Sequence, residues 1–219
     1  MMKTMKMKKR VSANGIIQAC MVLFFLFCVI LPIVSMLCRI TPDGLRDMTQ
    51  SPQFLPAVRN SLTTALTAAV ISMLLALAAA WCMERTRIRG RAVFGMLFVI
   101  PMLIPSISHA FGLVALFGNN GLFTKLLGWD VGIYGFWGIV VGSVMYSFPV
   151  AFLMLSGILQ YEDGMTDQAA RVLGIPRFRR FLGITLPYMK KTLISAFFAV
   201  FTMIVTDYGV PLMVGGKQI

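Results

Sequence analysis

The residues with the most distinctive spacing lie at 168–187, between two long apolar stretches. A glutamine and two alanines are followed by a glycine and then by an Ile-x-Leu-Pro sequence: Gln168, Ala169, Ala170, Gly174, Ile184, Leu186 and Pro187. Because alanine has almost no side chain, a partner's surface can approach the backbone closely at Ala169 and Ala170. The spacing is therefore compatible with a protein contact.

Local rules predict two short helices that meet at a glycine in this segment. Thr166 or Asp167 can cap a helix over 168–173, and Gly174 supplies its left-handed end. Pro176 is suited to the first position of the next helix. The first helix has fewer than two turns and is too short to be stable alone in water. We therefore expect it to be held against another surface.

The second helix of the segment carries a small apolar face. Phe178, Phe181 and Leu182 are spaced three and four residues apart, which places them on one side of a helix. Pro187 is expected to end that helix and to turn the chain toward the next apolar stretch. These residues alone leave two interpretations open. Either a partner docks here, or an amphipathic hairpin lies on the membrane with its arginines among anionic headgroups.

A second group of polar residues lies inside the third apolar stretch. Pro101 and Pro105 break the helical hydrogen-bond ladder, and Ser106, Ser108 and His109 follow. Helical spacing puts Pro105, Ser108 and His109 on one face. Ionisable groups near mid-membrane usually face a cavity or a partner helix, so Ser108 and His109 are candidate translocation-pathway residues. The alternative role of His109 is a hydrogen bond from a neutral imidazole to another helix.

Asp207 and Tyr208 form another polar pair, expected near the outer end of the fifth apolar stretch. An acid at that depth either lines a gate, pairs with Arg or Lys of another subunit, or is an ordinary interface residue outside the hydrocarbon. Asp207 and Tyr208 are therefore further pathway candidates.

The composition places all these residues in a membrane protein. Hydrophobic residues make up 58% of the 219-residue chain and charged residues 13%, with a mean hydropathy of +0.82. A membrane span needs about 20 predominantly apolar residues. Five stretches reach that length: 16–37, 61–83, 92–117, 133–159 and 192–214. The first is too long for the apolar core of a secretory signal, so it is interpreted as a retained anchor.

The basic residues predict the orientation of the chain. Fifteen of the twenty Lys and Arg residues fall in the N-terminal tail and in the second and fourth loops between the apolar stretches. Such residues are retained in short cytoplasmic loops, so the N-terminus and the segment 168–187 are predicted to be cytoplasmic. The net charge of +12 does not indicate nucleic-acid binding, because the cations alternate with membrane spans and no stacking aromatics lie among them.

Sequence motifs for catalysis and metal binding are absent. Gly215-Gly216-Lys217 lacks the Ser or Thr that follows the lysine of a phosphate loop, and Pro211 stands where that loop begins with glycine. The chain has one histidine, and its four cysteines do not form a disulfide framework. We expect no catalytic residue, no metal site and no cofactor in this chain. Energy for pumping is expected from another subunit.

The loop residues resemble the EAA signature of permease subunits of bacterial ATP-binding-cassette importers, in the last cytoplasmic loop where that family has it. The matching residues are Ala169-Ala170, three residues, Gly174, nine residues, then Ile184-x-Leu186-Pro187. Gln168 stands where the signature has glutamate. The resemblance covers about residues 59–216. Its flanking pieces look most like the subgroup that imports ferric iron, 2-aminoethylphosphonate or thiamine.

The resemblance implies an all-α, polytopic helical bundle of the type I importer permease fold, in the bacterial inner membrane. It implies a pair of ATPase subunits that bind ATP and Mg, and a periplasmic or lipoprotein solute-binding protein. A second permease half is also implied, as a homodimer, a heterodimer or a fusion. The helix that ends at Gly174 would sit in a groove of the ATPase and carry its movement to the spans. Ferric iron or 2-aminoethylphosphonate is the expected substrate.

Two alternatives accompany that expectation: another small solute, such as thiamine or a polyamine, or a different class of protein, an ion-coupled secondary transporter. Residues 1–56 are predicted to form the tail, the anchor and a periplasmic loop. Residues 57–219 are predicted to form the permease domain, with the coupling loop at 160–191. The family's core has one more helix than the five found here, so the chain is expected to be either a truncated product or the leading portion of a longer, possibly fused permease.

Overall fold

The computed structural model describes residues 13–86, 88–128, 131–161 and 164–215. These residues form helices joined by short connections, and no strand occurs among them. The expectation of an all-α membrane bundle is thus confirmed. The basic N-terminal residues of the charge count, together with Arg87 and Lys217, lie outside the described residues. The chain divides into two compact units, Met1–Leu55 and Pro56–Ile219.

The first unit contains one span and one short amphipathic helix. Helix α1 (Ala13–Phe25), a π-helical turn (Leu26–Ile30) and α2 (Leu31–Leu37) follow one another without interruption. The hydroxyl of Thr41 caps the next helix, α3 (Pro42–Gln50), by accepting a hydrogen bond from the backbone N–H of Gly44 at 3.2 Å.

The second unit holds the remaining helices. In chain order they are α4 (Phe54–Arg85), α5 (Arg91–Val99) with a 3₁₀ turn (Ile100–Leu103), α6 (Ser106–Phe117), α7 (Leu122–Leu127), α8 (Phe136–Gln160), α9 (Gly164–Val172), α10 (Arg177–Arg180) with a π-helical turn (Phe181–Thr185), α11 (Leu186–Val205) and α12 (Gly209–Val214). Within the described residues, five helices are long and apolar enough to cross a membrane, as predicted.

Two of the predicted spans are wrong in their extent. The stretch 92–117 is not one helix, because the backbone of Ile104 and Pro105 is extended between the 3₁₀ turn and α6. Pro105 has no N–H to continue the ladder. The stretch 192–214 is also broken, after Val205. Its helical part begins much earlier than predicted, since α10, the π turn and α11 form one continuous helix, Arg177–Val205.

Helix α8 is the centre of the second unit, and small residues allow its neighbours to approach closely. On α4, a row of buried alanines surrounds Ser72, whose hydroxyl lies 2.7 Å from that of Ser147 on α8. On the other side, Gly138 and Gly142 of α8 face α12. A Cβ atom at Gly138 would lie 2.3 Å from Val214, and one at Gly142 would lie 2.7 Å from a Val210 methyl. Only glycine fits these contacts.

Candidate functional site

The loop segment, defined as residues 164–185, contains the predicted helix, glycine stop and second helix. Gly174 has a φ of 72°, the left-handed conformation expected of it. Its N–H donates to the carbonyl of Arg171, and the N–H of Ile175 donates to the carbonyl of Ala170, both at 3.1 Å. This pair of hydrogen bonds is a Schellman motif, which satisfies carbonyls at the end of α9.

Three details of the predicted segment are wrong. Helix α9 begins at Gly164, so Asp167 lies inside its first turn instead of capping it. Pro176 precedes the first residue of α10 by one position. Pro187 does not end the helix. The π-helical turn Phe181–Thr185 lies just before Pro187, and the chain continues into α11. A π-helical turn absorbs the backbone distortion that an internal proline causes.

Contacts within the segment and contacts to the end of α4 hold it in place. Within the segment, Nε of Arg180 lies 3.5 Å from Oδ1 of Asp167, which ties α10 to α9. The ring of Phe181 meets the edge of Trp81, with centroids 4.8 Å apart at 86°. Arg85 lies over the same Trp81 ring, 5.7 Å from its centroid. Trp81 and Arg180 had not been identified as site residues, because neither belongs to the signature.

The predicted loop residues differ in exposure. Ala170 is buried against its own chain, so of the two alanines only Ala169 is available to a partner. Gln168, Gly174 and Pro187 are exposed and Ile184 is half-buried. Of the predicted apolar face, Phe181 packs on Trp81 but Phe178 and Leu182 are exposed.

The most exposed apolar side chains of the loop segment lie near the Gly174 turn, which we call the tip. The exposed fractions are 88% for Val172, 77% for Leu173 and 72% for Phe178. These three side chains flank the Gly174 turn.

The two helix breaks meet through Asp207. Its Oδ1 accepts a hydrogen bond from the hydroxyl of Ser106, at the start of α6, with 2.5 Å between the oxygens. Its Oδ2 accepts from the backbone N–H of Val210 at 3.0 Å, which caps α12. Gly209 lies directly on α6, where a Cβ atom would be 3.1 Å from Ile107. We call Ser106 and Asp207 the break pair.

Asp207 lies two residues beyond the end of the fifth apolar helix, Arg177–Val205. A cavity of about 320 Å³ is lined by Ser106, Asp207 and Tyr146, among other residues. The cavity thus brings the break pair together with a residue of α8. The position of Asp207 near the outer end of a span stays a prediction.

The other pathway candidates do not gather at this cavity. Ser108 is exposed whereas its neighbour His109 is buried, so the two do not share an environment. Nδ1 of His109 lies 3.3 Å from the carbonyl oxygen of Pro105, within its own helix and not across to another helix. Tyr208 is exposed. Among the residues that the structure describes, no group of three or more potential metal ligands is found.

Comparison with known families identifies the class of protein. Residues 70–219 match the model of the binding-protein-dependent transport system inner membrane component. The chain belongs to this family. As a binding-protein-dependent inner membrane component, it is a multi-pass membrane protein, in agreement with its five apolar helices.

Relatives of this inner membrane component carry several transport names. A putative ferric transport system permease protein of Haemophilus influenzae is 26% identical in a 214-residue alignment that covers 90% of this chain and 33% of that protein. A sulfate transport system permease protein of Salmonella typhimurium is 26% identical, over 78% of this chain and 62% of the relative. A molybdenum transport system permease protein of Azotobacter vinelandii is 28% identical, over 78% and 76%. The chain thus spans a third of the first relative and less than two thirds of the second.

Proposed function

We propose that this chain is one permease subunit of an ATP-driven importer. A second permease half completes the pathway, two ATPase subunits bind ATP and Mg, and a solute-binding protein delivers the substrate. The family supports this proposal, since its name specifies dependence on a binding protein. The relatives support it too, because they are named as permease proteins.

The observation that carries the proposal is the half-covered loop segment. One side of it packs on α4 through Phe181 and Trp81. At the Gly174 turn, Val172 and Leu173 are largely uncovered. Apolar surface gains about 25 cal/mol per Å² when it leaves water, so this tip favours association with a soluble protein. In this proposal the tip enters a groove of the ATPase.

Gln168 contributes to this contact through its amide. The signature glutamate is absent, and the neighbouring acid, Asp167, is already paired with Arg180. Gln168 is exposed, and its amide both donates and accepts hydrogen bonds. Contact with the ATPase therefore depends on shape, apolar burial and neutral hydrogen bonds more than on a charge at this position.

Movement of the ATPase reaches the spans through a rigid connection. The Phe181–Trp81 contact joins the segment to the end of α4, and the segment continues without interruption into α11. Helix α11 leads in turn to the break pair. We propose that Asp207, with Ser106 and Tyr146, lines part of the translocation pathway. Ser108, His109 and Tyr208 remain weaker candidates.

The substrate is proposed to be a small inorganic ion. Ferric iron is the first candidate because the ferric relative aligns with the largest part of this chain among the three compared, and the sulfate and molybdenum relatives suggest oxyanions. 2-Aminoethylphosphonate, thiamine and polyamines are further candidate substrates and are tested alongside these ions. Titrating the solute-binding protein encoded beside this chain with each compound identifies the substrate.

An ion-coupled secondary transporter is the second candidate, favoured by one observation. Two helix breaks meet at an acid, Asp207, and coupling-ion sites are often built at discontinuous helices. The energy source distinguishes the importer from the secondary transporter. Uptake that requires ATP and persists without an ion gradient supports the importer. Uptake that requires the gradient and persists without ATP supports the secondary transporter.

Substitution of Gly174 tests the coupling role. We expect Gly174→Asp to abolish ATP-driven uptake, because it adds a negative charge to the partner surface at the C-terminal end of α9. Gly174→Asn is the matched control. Both residues tolerate the left-handed conformation and no atom lies within 4 Å of the new Cβ, so the turn survives in each.

The measurement is substrate uptake by cells that also express the neighbouring ATPase and binding protein, normalised to the amount of this chain in the membrane. Loss of uptake with Asp and retention with Asn support the proposal. Uptake at the wild-type rate by the Asp variant would refute coupling through this segment.

A further inference from the structure

A pocket rich in arginine lies between α4 and the loop segment. Its volume is about 140 Å³, which is the space of roughly four to five water molecules. Four arginines are among its lining residues: Arg85, Arg171, Arg177 and Arg180. Asp167 is the single acid in the described part of the lining. The pocket therefore has an excess of positive charge and attracts an anion.

Arg180 is the buried member of this cluster. The residue is 9% exposed, and its Nε and Nη1 atoms are buried without a hydrogen-bond partner. Its charge is balanced only in part, since Nε lies 3.5 Å from the Asp167 carboxylate. Burying a guanidinium whose donors are unpaired is costly. An anion with several acceptor oxygens would satisfy them.

An apolar groove adjoins the pocket. It has a volume of about 540 Å³, and its lining includes Leu74, Leu77 and Phe178. Trp81 and Arg177 line both the groove and the pocket. Along α4 the groove extends over nine residues, from Leu74 to Cys82, or about 12 Å. One leaflet of the hydrocarbon core is about 15 Å thick, so the groove matches much of its depth.

The positions of Trp81 and Arg85 place the junction of pocket and groove at the membrane interface. Trp81 and Arg85 are within the last turn and a half of α4, a span helix. Tryptophan is enriched at the boundary between hydrocarbon and headgroups, and arginine extends its charge toward the headgroups. The cations thus lie at headgroup level and the apolar groove continues into the hydrocarbon.

We propose that this site binds one anionic phospholipid. The phosphate of its headgroup occupies the arginine pocket and contacts Arg180, while an acyl chain lies in the groove beside Leu74 and Leu77. The lipid then becomes part of the joint between α4 and the loop segment. A soluble anion accounts for the pocket but leaves the adjoining groove unexplained.

Fluorescence quenching of Trp81 tests the proposal. The chain has three tryptophans, so the Trp129→Phe, Trp137→Phe variant reports from Trp81 alone. The full chain is reconstituted in phosphatidylcholine vesicles that contain a small fraction of brominated phosphatidylglycerol or, in a parallel sample, brominated phosphatidylcholine. We expect the apparent affinity for the anionic lipid to exceed that for the neutral lipid at least about fivefold, and each pocket arginine to account for about a fivefold change.

Two substitutions that each remove one positive charge distinguish a specific lipid site from general electrostatic attraction to anionic lipid. Arg180→Gln is expected to lower the preference about fivefold, whereas Arg179→Gln is expected to leave it unchanged, because Arg179 is exposed and is not among the pocket's lining residues. Arg171→Gln repeats the test at an exposed lining residue, in case Arg180→Gln disturbs the fold. Asp167→Asn is expected to raise the preference, since it removes the competing acid.

Three results would overturn the proposal. The first is equal quenching by the two brominated lipids. The second is an equal loss of preference in the Arg179 and Arg180 variants, with Arg171→Gln no different from Arg179→Gln. The third is loss of the preference when inorganic phosphate is added at constant ionic strength, which would assign the pocket to a soluble anion. Persistence of the preference in phosphate supports the lipid.

Discussion

The break pair and the loop segment both connect helices, but they differ in how far this chain itself covers them. The side chains of the break pair are hydrogen-bonded within the chain, whereas the loop segment leaves large apolar side chains exposed. Both carboxylate oxygens of Asp207 accept hydrogen bonds from within the bundle, and Gly138 and Gly142 let α12 pack directly on α8. The loop segment has one aromatic contact to α4, and its tip is uncovered.

This difference separates two kinds of role. A region whose polar groups are paired and whose contacts exclude any added atom is expected to lose stability when it is changed. A region with uncovered apolar residues is expected to lose partner binding while its own fold survives. Substitutions in the two regions should therefore produce opposite patterns of stability and transport.

The largest effect is expected at the glycine contact with α12. In Gly138→Ala the new Cβ atom would lie 1.7 Å from the carbonyl oxygen of Ile133, so the backbone must move. We expect a loss of stability of about 3 kcal/mol or more, measured as the midpoint of thermal unfolding in detergent. Gly157→Ala on the same helix is the control, because no atom lies within 4 Å of its Cβ. Equal midpoints for the two variants would contradict the close packing described above.

A smaller effect is expected at the break pair. Asp207→Ala leaves the Val210 N–H and the Ser106 hydroxyl without their acceptor, at a cost of about 2 kcal/mol. Asp207→Asn can keep both contacts, since its oxygen accepts from Val210 and its amide donates to Ser106, so the loss should stay under about 1 kcal/mol. The same unfolding measurement applies. If Asn destabilises as much as Ala, the negative charge matters more than the hydrogen bonds.

The sequence predicted the loop segment better than the break pair. Gly174 was correctly predicted as a left-handed helix end, because that choice depends on local backbone sterics. Pro105 was correctly predicted to break the helical ladder before α6, but the extent of the span was wrong because the apolar stretch continues through Pro105. The hydrogen bond between Ser106 and Asp207 depends on where α12 folds back onto α6 and α8, which no local pattern encodes. No local sequence pattern marks Trp81 as a site residue, because its role comes from contact with Phe181, one hundred residues later.

A local effect is expected where the loop segment meets α4. Trp81→Leu removes an edge-to-face contact of about 1 kcal/mol, so hydrogen exchange should become faster across 164–185 with little change in α8. Trp137→Leu, which replaces an exposed tryptophan at the other end of the bundle, is the control. Unchanged exchange in the segment after Trp81→Leu would mean that this contact does not hold it.

The smallest effect on stability is expected at the tip. Leu173→Ser changes an exposed side chain, so the unfolding midpoint should shift by less than the equivalent of about 0.5 kcal/mol. Co-purification of the ATPase should nevertheless fall strongly, because the apolar contact is lost. A stable variant that still binds the ATPase normally would show that the tip is not the docking surface.

Site-specific cross-linking tests the central claim most directly. A photoreactive amino acid is placed at Leu173 in the loop segment or at Leu126 in α7, which is similarly exposed and lies at the other end of the bundle. The chain is then expressed with its ATPase and solute-binding protein and irradiated. We predict that position 173 forms a cross-link to the ATPase and that position 126 does not. Cross-linking to the ATPase from 126, or from neither position, would contradict the assignment of the loop segment as the ATPase contact.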